Sequence, residues 1–238
     1  MADSHTVASF DQELNALRTK ILRMGGIAET NVAAAIQAIV RRDRALAERT
    51  ISSDARIDVF DGEISDLVTR LLALRQPMAL DLRFIVGSLK LATDLERIGD
   101  YAKNIAKRSM ALGVAVPTQP MHAIPRMGDM VLSMVKDVLD ALSNDDADKA
   151  VMVRDRDTFL DEMYNSVFRE LLTYMMEDPR TITGCTHLLF IAKNLERIGD
   201  HATNMAETIY FISRGRRMAI DRPKADTTAE VADPTQAA

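Results

Sequence analysis

One hexapeptide occurs twice in this chain, and the repeat constrains the fold more than any other feature. Leu-Glu-Arg-Ile-Gly-Asp stands at residues 95–100 and again at residues 195–200. Outside the hexapeptide, Arg-Met-Gly at residues 23–25 returns at residues 126–128. We infer an internal duplication, so the chain should fold as two related halves that each carry the same carboxylate-bearing helix.

The composition and the spacing of apolar residues both favour helices. Hydrophobic residues make up 47% of the 238 residues, whereas aromatic residues make up only 5%, as in helical rather than strand-rich proteins. Around both hexapeptides, apolar residues recur at alternating steps of four and three, the pattern of a bundle seam. We predict an all-α fold of two tandem duplicated three-helix bundles with six long helices. The seam residues are Leu91, Leu95, Ile98, Ala102 and Ile105, and then Ile191, Leu195, Ile198, Ala202 and Met205.

The domain boundaries follow from prolines and from a loss of apolar residues. We predict the first three-helix bundle over residues 1–112 and the second over residues 126–214. Three prolines within residues 113–125 predict a linker between them. Residues 215–238 carry few large apolar side chains and are predicted to be a disordered tail. The predicted helices span about 6–42, 43–75, 78–112, 124–143, 145–176 and 179–214.

Charge and cysteine content narrow the class of protein. A net charge of -5 and a pI near 5.4 argue against a nucleic-acid-binding protein. The single Cys185 cannot form an intrachain disulfide, which is typical of a reducing compartment. The sequence shows no signal-peptide pattern and no run of about 18 apolar residues. We expect a cytoplasmic protein without a transmembrane segment, and a peripheral position at the inner face of the membrane through partners stays open.

Each half carries two pairs of carboxylates spaced four residues apart, which places each pair on one helix face. If the two helices are neighbours, their carboxylates converge, repel and raise one another's pKa values unless a cation neutralises them. Oxygen-only clusters suit hard cations such as magnesium, calcium, manganese or iron. We therefore predict one metal site per half. The predicted ligands are Asp54, Asp58, Glu96 and Asp100, and then Asp157, Asp161, Glu196 and Asp200.

Other interpretations of these residues stay open. The carboxylates also fit a solvated acidic helix face paired with Arg97 and Arg197, in a bundle that only binds partners. A di-iron oxidase or another metal-handling enzyme is a further alternative, but the Glu-x-x-His pairs typical of such bundles are absent from the sequence. Gly99 and Gly199 cost about 1 kcal/mol each inside a helix, which predicts close approach by a neighbouring helix or a ligand.

At these residues the chain resembles the PhoU family of phosphate-signalling proteins. The resemblance rests on FDQELNALRTKILRMGG, RQPMALDLRFIVGSLKLATDLERIGDYAKNIA, ELLTYMMEDPRTI and HLLFIAKNLERIGDHATNMAE. It implies a non-catalytic negative regulator of the phosphate-starvation response and of phosphate uptake. Such an adaptor links the ATPase subunit of a phosphate ABC transporter to a sensor histidine kinase, often as a homodimer.

The resemblance also implies a metal cluster at the E/D-x-x-x-D motifs of each bundle, on the eight carboxylates named above. Iron, manganese, magnesium and zinc are all open as the divalent or trivalent metal. The halves differ beside these motifs, because Asn194 stands where the first half has Asp94. We therefore expect the two sites to differ in charge and in metal occupancy.

Overall fold

The computed structural model describes the backbone of residues 2–112 and 118–218 and the side chains of residues 9–112 and 122–218. Within these ranges the chain is helical and contains no β-strand, which confirms the predicted all-α class. The first half contains α1 (Ala2–Arg41), α2 (Arg44–Ser53), α3 (Ala55–Arg75) and α4 (Ala79–Ala111). The second half contains α5 (Thr118–Asn144), α6 (Ala147–Asp155), α7 (Asp157–Glu177), a 3-10 turn (Pro179–Thr181) and α8 (Ile182–Arg214).

The second predicted helix of each half is divided by a single residue, so the described residues form six long helical rods that contain eight α-helices. Asp54 separates α2 from α3, and Arg156 separates α6 from α7. Both residues keep right-handed helical dihedrals. The Asp54 carbonyl accepts a hydrogen bond from Ile57 N at 2.8 Å, and the Arg156 carbonyl accepts one from Phe159 N at 3.1 Å. This three-residue spacing tightens the turn and leaves Asp54 and Arg156 at a bend in each rod.

The corner between the first and second rods is built in the same way in both halves. Arg42 and Asp145 adopt left-handed backbone dihedrals, with φ of 51° and 53°. The next residues cap the following helices, because Asp43 accepts a hydrogen bond from Leu46 N, and Asp146 accepts hydrogen bonds from the main chain of α6. These carboxylates satisfy helix donors that have no partner within the helix.

The core is organised around α4 and α8, which run antiparallel against each other. The predicted seam residues of both helices are all fully buried. The antiparallel direction follows from two contacts: Arg83 Nε donates to Ile212 O at 3.2 Å, and the Arg108 guanidinium lies 3.9 Å from the centre of the Phe190 ring. The two bundles therefore share one central helix pair, which carries Glu96 and Asp100 on α4 and Glu196 and Asp200 on α8.

The linker between the halves is shorter than predicted, because α5 begins at Thr118 and takes in part of the predicted linker 113–125. Pro120 lies in the first turn, where a helix lacks internal acceptors for its N–H groups. Pro125 lies inside the helix and costs a hydrogen bond, but the neighbouring Ile124 is fully buried against the core. The predicted disordered tail lies almost wholly outside the described residues. No helix in the described part of the chain has both the length and the apolar content needed to cross a membrane.

Candidate acidic clusters on the central helices

The four carboxylates predicted in the first half lie in one region where the bend at Asp54 packs on α4. Asp54 is 4% exposed, and Lys103 Nζ of α4 lies 2.5 Å from its Oδ2 and 3.5 Å from Asp100 Oδ1. One ammonium thus joins the bend to α4. The hydrogen bond to Asp54 raises the pKa of Lys103, so this group carries its charge at neutral pH.

Glu96 completes this first cluster. Burial raises the pKa of the Glu96 carboxyl, Arg97 lowers it, and the charges of Asp100 and Asp58 raise it further, with a net shift upward. The Arg97 guanidinium lies 3.4 Å from Glu96 Oε2 and 3.7 Å from Asp100 Oδ2. Asp58 is exposed, so the cluster is open to solvent on the α3 side.

The second cluster is more deeply buried than the first. Asp157, Asp161 and Glu196 are 2%, 3% and 4% exposed, and Asp200 is half-buried. Thr203 Oγ1 donates to Asp157 Oδ1 at 3.3 Å and joins α7 to α8. Because burying a carboxylate is costly unless its charge is balanced, this cluster depends on nearby cations and donors.

Lys193 supplies one of these cations to the second cluster. Its Nζ atom lies 3.0 Å from Glu196 Oε1 and 4.7 Å from the centre of the Tyr164 ring. The lysine therefore lies on the α8 side of the cluster while its ammonium also contacts an aromatic ring of α7. Such cation–π contacts stabilise a partly desolvated ammonium.

The glycine of each hexapeptide sits where the second rod meets the central helix. A Cβ added to Gly99 would lie 2.5 Å from Ile57 Cδ1 and 3.3 Å from Asp54 Oδ1, and one added to Gly199 would lie 2.2 Å from Leu160 Cδ2. Real Cβ atoms essentially never come so close to a carbon atom. Close helix packing, one of the two interpretations of these glycines, therefore accounts for them.

The chemistry of the second cluster fits a hard cation, because its three buried carboxylates offer oxygen ligands only. Among residues 9–112 and 122–218, however, no three His, Cys, Asp or Glu side chains are already arranged around a common metal position. A shared ion would need these side chains to turn toward one another. In the first cluster the Lys103 ammonium lies between Asp54 and Asp100, which fits a metal ion less well.

Sequence reasoning missed the two lysines of this region, and it took His201 for an exposed or packing histidine without connecting it to Asp94. Lys103 and Lys193 reach the carboxylates, and His201 Nδ1 lies 2.8 Å from Asp94 Oδ1 across the two central helices. The sequence signal that could have identified these residues was the set of positions at which the two repeats differ. Aligning the hexapeptides pairs Thr93 with Lys193, Asp94 with Asn194, Tyr101 with His201 and Lys103 with Thr203.

Comparisons with known proteins agree with this architecture. A family model described as the PhoU domain matches residues 21–109 and again residues 124–209. A phosphate-specific transport system accessory protein PhoU homolog from Caulobacter vibrioides is 53% identical over 95% of this chain and 99% of the relative. A protein of the same name from Rhizobium meliloti is 47% identical over 99% of this chain and 100% of the relative.

Two solved structures resemble this chain along most of its length. The crystal structure of PhoU from Pseudomonas aeruginosa has a TM-score of 0.85 and 39% identity, with 87% of this chain and 100% of that chain covered. The phosphate transport system regulatory protein PhoU from Streptococcus pneumoniae has a TM-score of 0.83 and 30% identity, with 89% of this chain and 100% of that chain covered. Both halves therefore fold as in these structures.

Proposed function

This chain belongs to the PhoU family, and on that premise we propose that it is an accessory protein of phosphate transport that represses the phosphate-starvation response and limits phosphate uptake. The observation that carries the proposal is the match of both halves to the family model, together with 53% identity to a relative named as a phosphate-specific transport system accessory protein. The relative from Streptococcus pneumoniae is named as a regulatory protein, which supports a regulatory rather than a transporting role.

The finer part of the proposal is a non-catalytic adaptor between the ATPase subunit of a phosphate ABC transporter and a sensor histidine kinase. An adaptor needs two separate contact surfaces. Large apolar side chains lie exposed where α3 turns into α4 and where α7 turns into α8, with Met78 79% and Met176 77% exposed. Because α4 and α8 are antiparallel, these two apolar tips lie at opposite ends of the central pair. Exposed apolar patches are typical of protein-binding surfaces.

A reporter assay tests the regulatory role. In a strain that lacks the gene, a phosphate-starvation reporter should be expressed in high phosphate, and the wild-type gene should restore repression. Met78→Asp and Met176→Asp should each fail to restore repression if the tips contact partners. Thr30→Asp adds the same charge at an exposed position of α1, 17 residues beyond the Glu13 that pairs with Arg75 near the tip, and should restore it. A deletion strain whose reporter stays fully repressed in high phosphate would contradict the proposal.

A homodimer is part of the same proposal, since an apolar tip can also contact a second copy of the chain. Sedimentation equilibrium at micromolar concentration measures the mass of the purified protein. A dimer that Met78→Asp or Met176→Asp dissociates would assign one tip to self-association. A wild-type protein that remains monomeric throughout the concentration range would remove the homodimer from the proposal.

We also propose that the acidic motifs bind metal, with the second cluster as the better fit. Asp157, Asp161 and Glu196 would hold the ion, with Asp200 at the rim, and a bound cation would neutralise buried carboxylates and clamp α7 to α8. Elemental analysis of protein purified without chelators measures the bound metal. We expect loss of metal in Glu196→Ala/Asp200→Ala. A wild-type protein that contains no metal, even after incubation with metal ions, would contradict the proposed metal binding. It would not affect the proposed regulatory role.

A further inference from the structure

A groove opens between the N-terminal half of α4 and the C-terminal half of α8. Its volume is about 850 Å³, which lies within the range of pockets that hold small organic ligands. Val86 lines the groove and lies one helical turn along α4 from Leu82, and both side chains are exposed. The groove therefore borders the apolar tip around Met78.

A close helix contact and a turn shape this groove. A Cβ added to Gly87 would lie 2.6 Å from Ile212 Cδ1, so the glycine lets α8 approach α4 closely at this level. After α8 ends, Gly215 adopts left-handed dihedrals with φ of 69°, and Arg217 and Met218 then line the groove. Met218 is only 8% exposed. The groove thus has a floor on the two central helices and a wall formed by the residues that follow α8.

The equivalent place in the second half is occupied by two stacked side chains. Aligning the hexapeptides pairs Lys90 with Phe190 and Thr208 with Arg108. The Arg108 guanidinium lies 3.9 Å from the centre of the Phe190 ring, so a cation–π stack stands where α8 and α4 repeat this arrangement. In the first half, Lys90 and Thr208 both line the groove instead. Two differences between duplicated helices thus separate an open groove from a filled one.

Charged side chains of both signs line the groove. Lys90 and Arg217 are cations, and both are exposed. The carboxylates are Asp94, which contacts His201 Nδ1 at 2.8 Å, and the half-buried Glu207. Within the described part of the chain, the two cations and Glu207 make no ion pair. Lysine and arginine bind phosphate oxygens through charge-assisted hydrogen bonds, and a carboxylate accepts hydrogen bonds from hydroxyl or amino groups.

Apolar surface lies beside these charges. The large apolar residues that line the groove are Val86, Leu89, Phe211 and Met218. Phe211 is half-buried, so its ring gives surface against which another planar ring can pack. Thr93 and Asn204 add neutral hydrogen-bonding groups. One groove therefore combines cations for an anion, acceptors for hydroxyl groups and aromatic surface for a planar ring.

We propose that this groove binds a nucleotide, with its phosphate on Lys90 and Arg217, its sugar hydroxyls at Glu207 and its base against Phe211. The binding site does not depend on the proposed metal binding or on the adaptor role. Because the groove borders the tip around Met78, a bound nucleotide would form part of the surface that a partner contacts there, and this regulatory step rests on the proposed function.

Isothermal titration calorimetry of the full-length protein with ADP, in buffer that contains a chelator, tests the proposal. The chelator keeps metal ions from carrying the nucleotide to the acidic clusters. Wild type should bind one equivalent of ADP. Adenosine and inorganic phosphate should each bind at least about tenfold more weakly, because each lacks the charged hydrogen bonds or the ring packing that the other part of ADP makes.

Charge-reversal variants place the binding in the groove. Lys90→Glu and Arg217→Glu should each raise the Kd for ADP by about tenfold to a hundredfold, because each removes a charge-assisted hydrogen bond. Lys107→Glu reverses the charge of another exposed lysine of α4, outside the groove, and should leave the Kd unchanged.

The double variant Lys90→Phe/Thr208→Arg installs the stack of the second half in the first half and should abolish ADP binding. Thr208 is buried, so circular dichroism must show that this variant folds. If it does not fold, the variants of the exposed Lys90 and Arg217 decide alone.

Three results would overturn the proposal. The first is a wild-type protein that binds no ADP, and the second is equal binding by wild type and by both charge-reversal variants of the groove. The third is inorganic phosphate or adenosine bound as tightly as ADP, because only one part of the groove would then be used. The reporter assay measures the regulatory role separately, so a protein that represses the reporter without binding ADP would contradict this proposal alone.

Discussion

Asp94 of α4 and His201 of α8 join the two bundles through a contact of 2.8 Å between Oδ1 and Nδ1. The His201 ring lies 5.6 Å from the ring of Tyr101, and the guanidinium of Arg197 lies 5.7 Å from the centre of that same ring. These side chains form a polar and aromatic layer between two otherwise apolar helix faces. The layer fixes the register of α4 against α8, because a shift along either helix would separate Asp94 from His201.

Replacing Asp94 should therefore weaken the joint between the bundles. Asp94→Ala leaves a partly buried His201 without its acceptor, and we expect a loss of about 1–3 kcal/mol in the free energy of unfolding. Urea unfolding followed by circular dichroism measures the change. Thr93→Ala alters the adjacent exposed position and should change stability by less than about 0.5 kcal/mol. Equal stability of the two variants would show that the contact contributes nothing to the joint.

The glycines of the hexapeptides should resist replacement, unlike a glycine elsewhere in the same half. Gly99→Ala and Gly199→Ala press a methyl group against the terminal methyls of Ile57 and Leu160, which are fully buried and have little room to turn aside. We therefore expect the clash to outweigh the gain in helix propensity and to destabilise the protein by about 1–3 kcal/mol. Gly62 lies in α3 with nothing within 4 Å of an added Cβ, so Gly62→Ala should stabilise by about 1 kcal/mol. Thermal unfolding compares the three. Stabilisation by Gly99→Ala would contradict the close packing.

The stability of the metal-free protein should depend on the charge of Glu96. Its pKa is raised in the folded state by burial and by Asp100 and Asp58, so the folded protein binds this proton more tightly than the unfolded chain does. The charged carboxylate therefore costs stability above the folded pKa, and the cost disappears below the ordinary glutamate pKa of about 4.3.

Glu96→Gln should consequently raise the free energy of unfolding at pH 7, and the gain should vanish near pH 4. Denaturant unfolding at both pH values, in the presence of a chelator, measures the difference. Glu162→Gln changes an exposed glutamate of α7 that lies outside the first cluster, so it serves as the matched control. A Glu96→Gln protein that is less stable than wild type at pH 7 would show that the Arg97 ion pair outweighs the repulsion.

The helix caps at the two equivalent corners should contribute similarly to stability. Asp43→Ala and Asp146→Ala each remove a side-chain acceptor from the first turn of a helix, and we expect a loss of about 1 kcal/mol from each. Chemical denaturation of the two variants and of their double mutant measures the losses. Because the corners lie in different halves, the two losses should add. Destabilisation by only one of the two substitutions would show that the caps at the two corners contribute differently to stability.

Much of the fold was predictable because the spacing of apolar residues along a helix shows which side chains are buried. The stripe from Leu91 to Ile105 and its counterpart in α8 are fully buried, as their spacing predicts. The bend at Asp54 was not predictable, because its dihedrals remain helical and only the hydrogen-bond spacing changes. Thr118 begins a helix within a proline-rich segment because burial of residues such as Ile124 outweighs the local preference.

The carboxylates of the candidate site were predictable from the sequence, whereas the lysines that pair with them were not. The spacing of Glu96 and Asp100 places them on one helix face, and the close approach at Gly99 brings the Asp54 bend against that face. Lysine side chains are long and can point in several directions, so motif spacing gave no reason to connect Lys103 with Asp54. The comparison of the two repeats at each position carried that information.

The antiparallel pairing of α4 with α8 has a consequence for how sequence changes act on this molecule. In an assembly of two identical half-length chains, every substitution would appear on both sides of the joint at once, so an aspartate and a histidine could face each other only if both positions changed in both copies. Covalent fusion removes that restriction. Asp94 meets His201 while the mirror positions carry Asn194 and Tyr101, and a lysine can stand in one half opposite a threonine in the other. A symmetric scaffold can thus hold two sites that acquire separate properties one residue at a time.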